Sequence, residues 1–300
     1  MMTHATDAPL ATEATPALIA DTVQFDLASA KGGEPWRIFL HVPRSEPPEA
    51  GWPVLHLFDG NAVIATAVDA LRIQSAWPSG TGVHPGVIVA VGYPTDGAYD
   101  GVRRSWDLGP PPGETYPPFT KDGPPVRTGG ADDFLAFLEE ELAPEIARRV
   151  KVDPLRRAVF GHSFGGLFVL HALFRRPQAY SRLISASPAI WWEGAGIVAR
   201  AEGFLAEPPA GLDARLLLLA GEYEQKLAPF QIGAQDAEKR QAAFKDSRIV
   251  DYTAEMAGRL AGVPGLATSY ELIGGETHMS ILPQAVNKAV RFAFGVDGAA

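Results

Sequence analysis

Residues 159–166, which read V-F-G-H-S-F-G-G, constrain the fold more than any other part of the chain. The apolar run before them predicts a buried strand, and the apolar segment after them predicts a helix. Between the two lies a G-x-S-x-G pattern centred on Ser163, which predicts a nucleophile elbow that lifts the serine above a sheet. Gly161 and Gly165 lie where the turn meets the strand and the helix, so we expect any side chain there to clash. A glycine-rich turn that contains serine by chance is the alternative.

A serine nucleophile needs a base, and the order of residues along the chain selects one histidine. After this type of elbow an acid and then a histidine follow the serine, and only His171 and His278 follow Ser163. His171 lies in the helix predicted after the serine, which favours a structural role. His278 ends the polar segment 274–278, between a predicted strand and the last predicted helix, which favours the role of base. A surface histidine without a function is the alternative.

The acid that orients the imidazole is predicted after a second buried strand. Residues 216–220 are a nearly continuous apolar run, as expected for a parallel strand covered on both faces. Two glutamates follow it, Glu222 and Glu224. We favour Glu224, which lies three positions after Gly221, the glycine that ends the strand. Glu222, or a serine–histidine pair without an acid, is the alternative.

Two backbone N–H groups are predicted to face the oxyanion that forms when the serine attacks. Phe164 directly follows the nucleophile, so its N–H is the first. The second is expected after an earlier strand, residues 53–58, where the turn Asp59-Gly60-Asn61 follows. We predict that Asn61 supplies it and that Gly60 permits a close approach of the backbone. An ordinary Asp-Gly turn is the alternative.

Composition limits the partners that such a site can serve. The 300 residues carry a net charge of −9, which argues against nucleic acid or an anionic membrane as a partner. The chain has no cysteine and no H-E-x-x-H spacing, so we expect neither a catalytic metal nor another cofactor. No run reaches transmembrane length. Residues 1–20 are rich in alanine, threonine and proline, which predicts a disordered leader. They lack the features of a signal peptide, which predicts a cytoplasmic location.

Alternating strand and helix patterns predict one domain, residues 21–300, with a mostly parallel sheet covered by helices on both faces. The first two strands are close together in the chain and predict an antiparallel edge. Apolar repeats over residues 134–150 predict a helix before the elbow, kinked or broken at Pro144. The charged stretch 234–260 predicts a single long exposed helix. The predicted strands are residues 22–27, 37–42, 53–58, 87–91, 157–160, 183–186, 216–220 and 268–273.

The segment 108–130 is so rich in proline and glycine that it predicts no regular structure. An irregular loop of this length inside a compact domain is usually functional or disordered. We predict a flap over Ser163, in which Tyr116 and Phe119 can stack on a substrate. A disordered surface loop is the alternative.

Six motifs, in order along the chain from about residue 23 to its end, resemble those of one known family. They are L-F-D-G-N-A (57–62), R-R-S-W-D (103–107), F-G-H-S-F-G-G (160–166), S-A-S-P-A-I-W-W (185–192), A-G-E-Y-E-Q (220–225) and G-G-E-T-H (274–278). The chain resembles the putative-esterase branch of the α/β hydrolases, and within it the enterochelin and salmochelin esterases, which open ferric siderophores. The resemblance implies an α/β-hydrolase fold, Ser163 as nucleophile, His278 as base, and Asn61 and Phe164 as oxyanion donors. Some members are described as Ser–His dyads, which leaves Glu224 open.

The resemblance further implies a serine carboxylic-ester hydrolase that acts on a small-molecule ester, with siderophore-type trilactones as one substrate class. The same branch includes S-formylglutathione hydrolases, feruloyl esterases and mycolyl transferases. A general small-acyl or S-formylglutathione-type esterase, or an acyltransferase, is therefore the alternative.

Four side chains are candidates for contact with the substrate. Arg103 and Arg104 can hold a catecholate or carboxylate, because a planar guanidinium suits paired oxygens. An ion pair with Asp107 is the alternative for them. Trp191 and its neighbour Trp192 can form a wall of the substrate pocket, and a place in the core is the alternative for them. Tyr116 of the predicted flap is the fourth candidate.

Overall fold

A computed structural model describes residues 14–118 and 121–296. Its strands are β1 (Thr22–Leu27), β2 (Trp36–His41), β3 (Trp52–Phe58), β4 (Val87–Gly92), β5 (Thr115–Tyr116), β6 (Val126–Arg127), β7 (Val152–His162), β8 (Arg182–Ala186), β9 (Ala214–Gly221) and β10 (Leu266–Ile273). Eight of them form one sheet in the order β1-β2-β4-β3-β7-β8-β9-β10. Strands β3, β4 and β7 to β10 run parallel, whereas β1, β2 and β4 pair antiparallel at one edge. The predicted mostly parallel sheet with an antiparallel edge is confirmed.

Helices cover both faces of this sheet and bury two apolar layers. They are α1 (Gly60–Ser75), α2 (Pro78–Thr81), α3 (Gly101–Leu108), α4 (Ala131–Phe137), α5 (Ala143–Arg149), α6 (Phe164–Arg175), α7 (Trp192–Ala206), α8 (Ala237–Ser247), α9 (Ile249–Leu260) and α10 (Ile281–Phe294). Along β3, Val54 and Phe58 face one layer, and Leu55 and Leu57 face the other. Helices α4, α6, α7 and α9 pack on the layer of Phe58, and α1 and α10 pack on that of Leu55. Burial on both faces explains why the central strands carry nearly continuous apolar runs.

Pro144 does not break the helix that precedes the elbow. Residues 131–149 stay helical, and a π-helical turn at Leu138–Leu142 comes just before the proline. In this wider turn Ala143 donates its N–H to the carbonyl of Leu138, five residues earlier. The wider turn gives the proline ring room against the preceding carbonyls.

The prediction of one long helix over residues 234–260 is wrong. The chain forms α8 and α9, which meet at Arg248 in the left-handed conformation with φ 43°. None of the residues of α8 is buried, whereas α9 buries Ile249, Met256 and Leu260. Only the second helix is therefore held by contact with the core.

The segment predicted as a flap contains a short hairpin, so the prediction that it lacks regular structure is wrong. Strands β5 and β6 pair antiparallel, and the Thr128 hydroxyl donates to the carboxylate of Glu193 on α7. This bond fastens the hairpin to the helix. Phe119 lies outside the described residues, and the role of the segment as a flap stays a prediction.

Of the predicted leader, residues 1–13 lie outside the described part of the chain, and residues 14–19 form neither helix nor strand. Within the described ranges, no helix combines the length and the apolar character that crossing a bilayer requires.

Candidate active site

Ser163 lies in the sharp turn between β7 and α6, with φ 61° and ψ −115°. A residue other than glycine at positive φ is strained, as a nucleophile elbow requires. A Cβ at Gly161 would lie 2.2 Å from the backbone of Gly165, and one at Gly166 would lie 2.7 Å from the carbonyl oxygen of Ala186. At Gly165 the nearest atom would be 3.7 Å away, an ordinary contact. The expected clash is therefore present at Gly161 but not at Gly165, and Gly166 is the second position that excludes a side chain.

The structure brings Ser163, His278 and Glu224 into one line of contacts. His278 Nε2 lies 3.1 Å from Ser163 Oγ, and His278 Nδ1 lies 3.2 Å from Glu224 Oε1. The carboxylate is fully buried, and the histidine is half-buried. The three groups follow β7, β9 and β10, so the parallel sheet collects them at the carboxyl ends of its strands. In this arrangement Nδ1–H donates to the carboxylate and leaves Nε2 to accept the serine proton.

Glu222 has other partners. Its Oε1 accepts from Lys226 Nζ at 2.8 Å, and its Oε2 accepts from the N–H of Gly275 at 2.8 Å. The carboxylate therefore holds the loop that leads to His278 and does not contact the imidazole.

A second histidine, His162, lies beside the first. Its ring centroid is 4.6 Å from that of His278, and its side chain is buried. Burial holds the pKa of His162 well below its usual range, and the nearby charges of His278 and Arg104 push it in the same direction. His162 therefore stays neutral near pH 7 and does not compete with His278 for the serine proton.

Ligand atoms of His162, Glu224 and His278 all lie within 4.8 Å of one another, which is close enough to consider a metal ion. Both ring nitrogens of His278 are already in contact, one with Ser163 and the other with Glu224. A metal ion bound there would displace one of these contacts and interrupt the path of the proton.

The two residues predicted as oxyanion donors both lie in the first turn of a helix. Asn61 lies in the first turn of α1, and Phe164 is the first residue of α6. N–H groups in a first helical turn have no acceptor within the helix and carry the positive end of its dipole. The Asn61 side chain is fixed, because Nδ2 donates to the carbonyls of Tyr93 and Thr95 at 3.0 Å and Oδ1 accepts from the N–H of Tyr93 at 2.9 Å. What Asn61 can offer a substrate is therefore its backbone N–H.

The two candidate arginines form hydrogen bonds with different partners. Arg103 donates to the carbonyls of Pro35 and Glu34, each at 3.0 Å. Arg104 forms a bidentate pair with Asp59 and approaches the carbonyl oxygen of His162 at 3.5 Å. The alternative, an ion pair with Asp107, is not formed by either arginine in the described structure. Instead, Asp107 accepts from the indole of Trp36 and the hydroxyl of Tyr93.

Aromatic rings connect the elbow to the hairpin. The Trp192 ring lies 4.7 Å from that of Phe164 and 4.6 Å from that of Tyr116. Trp191 packs against Trp192 at 5.1 Å, and both indoles are half-buried. Trp192 also lines a cavity of about 440 Å³ together with residues 110–112 and Arg200. The structure thus places Trp192 next to Phe164, the residue that follows Ser163, with Tyr116 and Trp191 packed against Trp192.

Sequence reasoning missed two features of this site. His162 was visible within the elbow motif, but nothing in the pattern shows that its ring meets His278. The pair between Asp59 and Arg104 joins residues 45 positions apart, and no local signal connects them.

Comparison with known proteins identifies the family. Residues 29–256 match the family model described as "Putative esterase". The ferri-bacillibactin esterase BesA of Bacillus subtilis is 36% identical over 276 residues, covering 91% of this chain and 89% of the relative. The siderophore enterobactin esterase of Emericella nidulans is 33% identical over 97% of this chain and 98% of its own. The solved structure of siderophore hydrolase EstA from Aspergillus nidulans matches with a TM-score of 0.82 at 30% identity, covering 96% and 98% of the two chains. The chain therefore belongs to the putative-esterase family of the α/β hydrolases.

Proposed function

We propose that the protein is a serine carboxylic-ester hydrolase that opens siderophore-type esters through an acyl-enzyme on Ser163. The observation that carries the proposal is the line of contacts from Ser163 Oγ through the His278 ring to the buried carboxylate of Glu224. Such a line lets a proton pass from hydroxyl to imidazole while the carboxylate stabilises the imidazolium. Relatives that span most of the chain are named esterases of ferri-bacillibactin, triacetylfusarinine C and enterobactin, which supports a siderophore as substrate.

Acylation begins when Ser163 Oγ attacks the ester carbonyl carbon and His278 Nε2 accepts the hydroxyl proton. The N–H groups of Asn61 and Phe164 donate to the oxyanion of the tetrahedral intermediate. When the intermediate collapses, the bond to the leaving alcohol breaks and the alcohol takes the proton from Nε2. The acyl group is then bonded to Ser163.

Deacylation repeats these steps with water in place of the serine. The water oxygen adds to the acyl carbon while His278 Nε2 takes a proton from the water. The bond between the acyl carbon and Ser163 Oγ then breaks, and Oγ receives that proton from Nε2. In a cyclic ester the new acid and the released alcohol belong to one molecule, so a single round opens the ring.

Arg103, Trp191 and Tyr116 stay proposed contacts for the substrate, whereas the guanidinium of Arg104 already donates to both carboxylate oxygens of Asp59. The rings of Tyr116 and Trp192 offer a surface on which an aromatic arm of a substrate can stack beside the nucleophile. Arg103 would have to exchange its bonds to backbone carbonyls for bonds to the substrate. The substrate is a small molecule, and the cytoplasmic location stays a prediction that cell fractionation tests.

A pooled set of esters tests the function, with products identified by mass spectrometry and Ser163→Ala as the blank. The pool contains a tris-catechol trilactone with and without iron, S-formylglutathione, a feruloyl sugar ester and short p-nitrophenyl esters. We expect opening of the trilactone, and a loss of several orders of magnitude in rate in Ser163→Ala. A fluorophosphonate label on Ser163 checks the nucleophile independently.

Other products from the ester pool would indicate one of the alternative functions. Cleavage of short esters or S-formylglutathione alone would indicate a general small-acyl esterase. Transfer of the acyl group to an added alcohol in excess of hydrolysis would indicate an acyltransferase. The absence of both a Ser163-dependent product and the label would contradict the proposal.

A further inference from the structure

A largely buried arginine–aspartate pair lies next to the elbow and outside the catalytic triad. Arg104 of α3 donates from Nε to Asp59 Oδ1 at 2.7 Å and from Nη2 to Asp59 Oδ2 at 2.8 Å. The side chains of Arg104 and Asp59 are 12% and 4% exposed, so water screens their charges little. A bidentate pair fixes orientation as well as charge.

Asp59 controls the direction of the turn that leads to Asn61. It follows β3 in the left-handed conformation, with φ 55° and ψ 45°, and its carbonyl accepts the N–H of Ala62 at 2.8 Å. Residues other than glycine adopt the left-handed conformation at a cost in free energy, so the surrounding structure must stabilise it at Asp59. The two bonds from Arg104 fix the Asp59 carboxylate and therefore the backbone from which the Asn61 N–H projects.

The same guanidinium also contacts the elbow. Arg104 Nη2 lies 3.5 Å from the carbonyl oxygen of His162, and Arg104 Cζ lies 5.5 Å from the ring of Phe164. Arg104 thus contacts the residues on both sides of Ser163 in addition to the turn before Asn61. One side chain joins the two segments that carry the proposed oxyanion donors.

We propose that Arg104 is a positioning residue for the oxyanion hole. It holds the turn at Asp59 against the elbow at His162, so that the N–H groups of Asn61 and Phe164 face the same oxygen. It also neutralises the Asp59 carboxylate, whose negative charge would otherwise oppose the oxyanion. This role rests on the proposed function, because it requires an oxyanion at the ester carbon that Ser163 attacks.

Kinetics of p-nitrophenyl ester hydrolysis by Arg104→Met, Asp59→Asn and the double variant test this role. We expect kcat of Arg104→Met to fall about a hundredfold, as when one oxyanion donor is lost, with KM within about threefold of wild type. The kcat of the double variant should be at least about tenfold higher than that of Arg104→Met, because Asp59→Asn removes the uncompensated negative charge of the carboxylate. Arg37→Met is the matched control, since Arg37 forms a bidentate pair with Asp26 across the antiparallel strands β1 and β2, at 2.9 and 3.1 Å. Its kcat should stay within about threefold of wild type.

Two results would overturn the role of Arg104. A rise in KM with unchanged kcat would make Arg104 a substrate contact, and an unchanged kcat and KM would remove it from the site. If Arg104→Met does not fold, Arg104→Lys takes its place, because lysine keeps the charge and lacks the fork. Its kcat should fall about tenfold, and a wild-type kcat would count against positioning.

The wild-type protein separates this proposal from the proposed function. If fluorophosphonate labels Ser163 and esters turn over, an active Arg104→Met contradicts the positioning role alone. If the wild type neither takes the label nor hydrolyses any ester, the proposed function fails, and the positioning role fails with it.

Discussion

The Glu224→Gln variant separates a catalytic triad from a Ser–His dyad. In the structure Glu224 Oε1 lies 3.2 Å from His278 Nδ1, and Glu224 is 1% exposed. Glutamine has the same length but no charge to stabilise the imidazolium that forms when Ser163 loses its proton. We expect kcat to fall and KM to change little, because the charge acts only after the proton has moved.

Coulomb's law bounds the size of this effect. Two unit charges 3.2 Å apart interact by about 5 kcal/mol at an effective dielectric constant of 20. Complete loss of that energy would slow the reaction by roughly several thousandfold. Because the His278 side chain is 33% exposed, water screens part of the field, and we expect kcat to fall about 100- to 1000-fold.

The loss of activity should not be accompanied by unfolding. Glu224 Oε2 is buried without a hydrogen-bond partner in the described structure. Replacing a buried carboxylate with a neutral amide lowers the cost of its desolvation. The melting temperature of Glu224→Gln should therefore equal or exceed that of the wild type, which circular dichroism measures.

Steady-state hydrolysis of a p-nitrophenyl ester near neutral pH gives the result, with Glu222→Gln as the matched control. The Glu222 carboxylate bonds to Lys226 and to the Gly275 N–H, so we expect its variant to keep kcat within about threefold of wild type. A Glu224→Gln variant that keeps more than about a third of the wild-type kcat would refute the reasoning and indicate a dyad. A larger loss in Glu222→Gln would show that the wrong glutamate was chosen.

Two further predictions concern stability. Burial lowers the pKa of His171 to about 4 in the folded protein. The pKa of a histidine in the unfolded chain is about 6.5, so as pH falls the unfolded chain binds a proton at this position before the folded protein does. The neutral His171 therefore contributes stability that is present above pH 6.5 and is lost, by up to about 3 kcal/mol, as pH falls to about 4. Urea unfolding at several pH values measures this effect: the free energy of unfolding of His171→Gln should fall less between pH 6.5 and about 4 than that of the wild type. Equal pH dependence in the two proteins would contradict the assignment. Gly161→Ala should lose about 2 kcal/mol or more, because its Cβ would lie 2.2 Å from the Gly165 backbone. Gly165→Ala should melt within about a few degrees of wild type, and equal melting temperatures for the two variants would contradict the elbow geometry.

The positions of the catalytic candidates could be predicted because each depends on its own short segment. Apolar runs covered on both faces mark the end of β7 and most of β9, and Ser163 and Glu224 follow these runs by a few residues. His278 follows β10, an edge strand that is mostly exposed or half-buried and is marked by its β-branched and aromatic residues. The carboxyl ends of parallel strands meet at one edge of the sheet, so Ser163, Glu224 and His278 converge once the fold class is known. The choice between Glu222 and Glu224 rested on spacing, and the 3.2 Å contact of Glu224 with the imidazole now supports it.

Other features depend on contacts that short segments do not reveal. The break at Arg248 has neither glycine nor proline to mark it. A change of periodicity was the available signal, because Ile249, Met256 and Leu260 form an apolar stripe that α8 does not continue. The predicted break at Pro144 was also wrong, since a π turn accommodates the proline ring within a continuous helix.

Two buried carboxylates lie near the same serine, and their partners decide what each can do. Asp59 is bonded to a permanent cation, Arg104, so its charge is neutralised before any substrate arrives. Glu224 faces an imidazole that becomes a cation only when Ser163 loses its proton. Attack on an ester therefore creates a cation beside a carboxylate and an oxyanion beside a neutral pair. In the proposed mechanism the imidazolium is therefore stabilised by Glu224 and the oxyanion meets no opposing charge from Asp59, although this aspartate begins the turn that carries a proposed oxyanion donor.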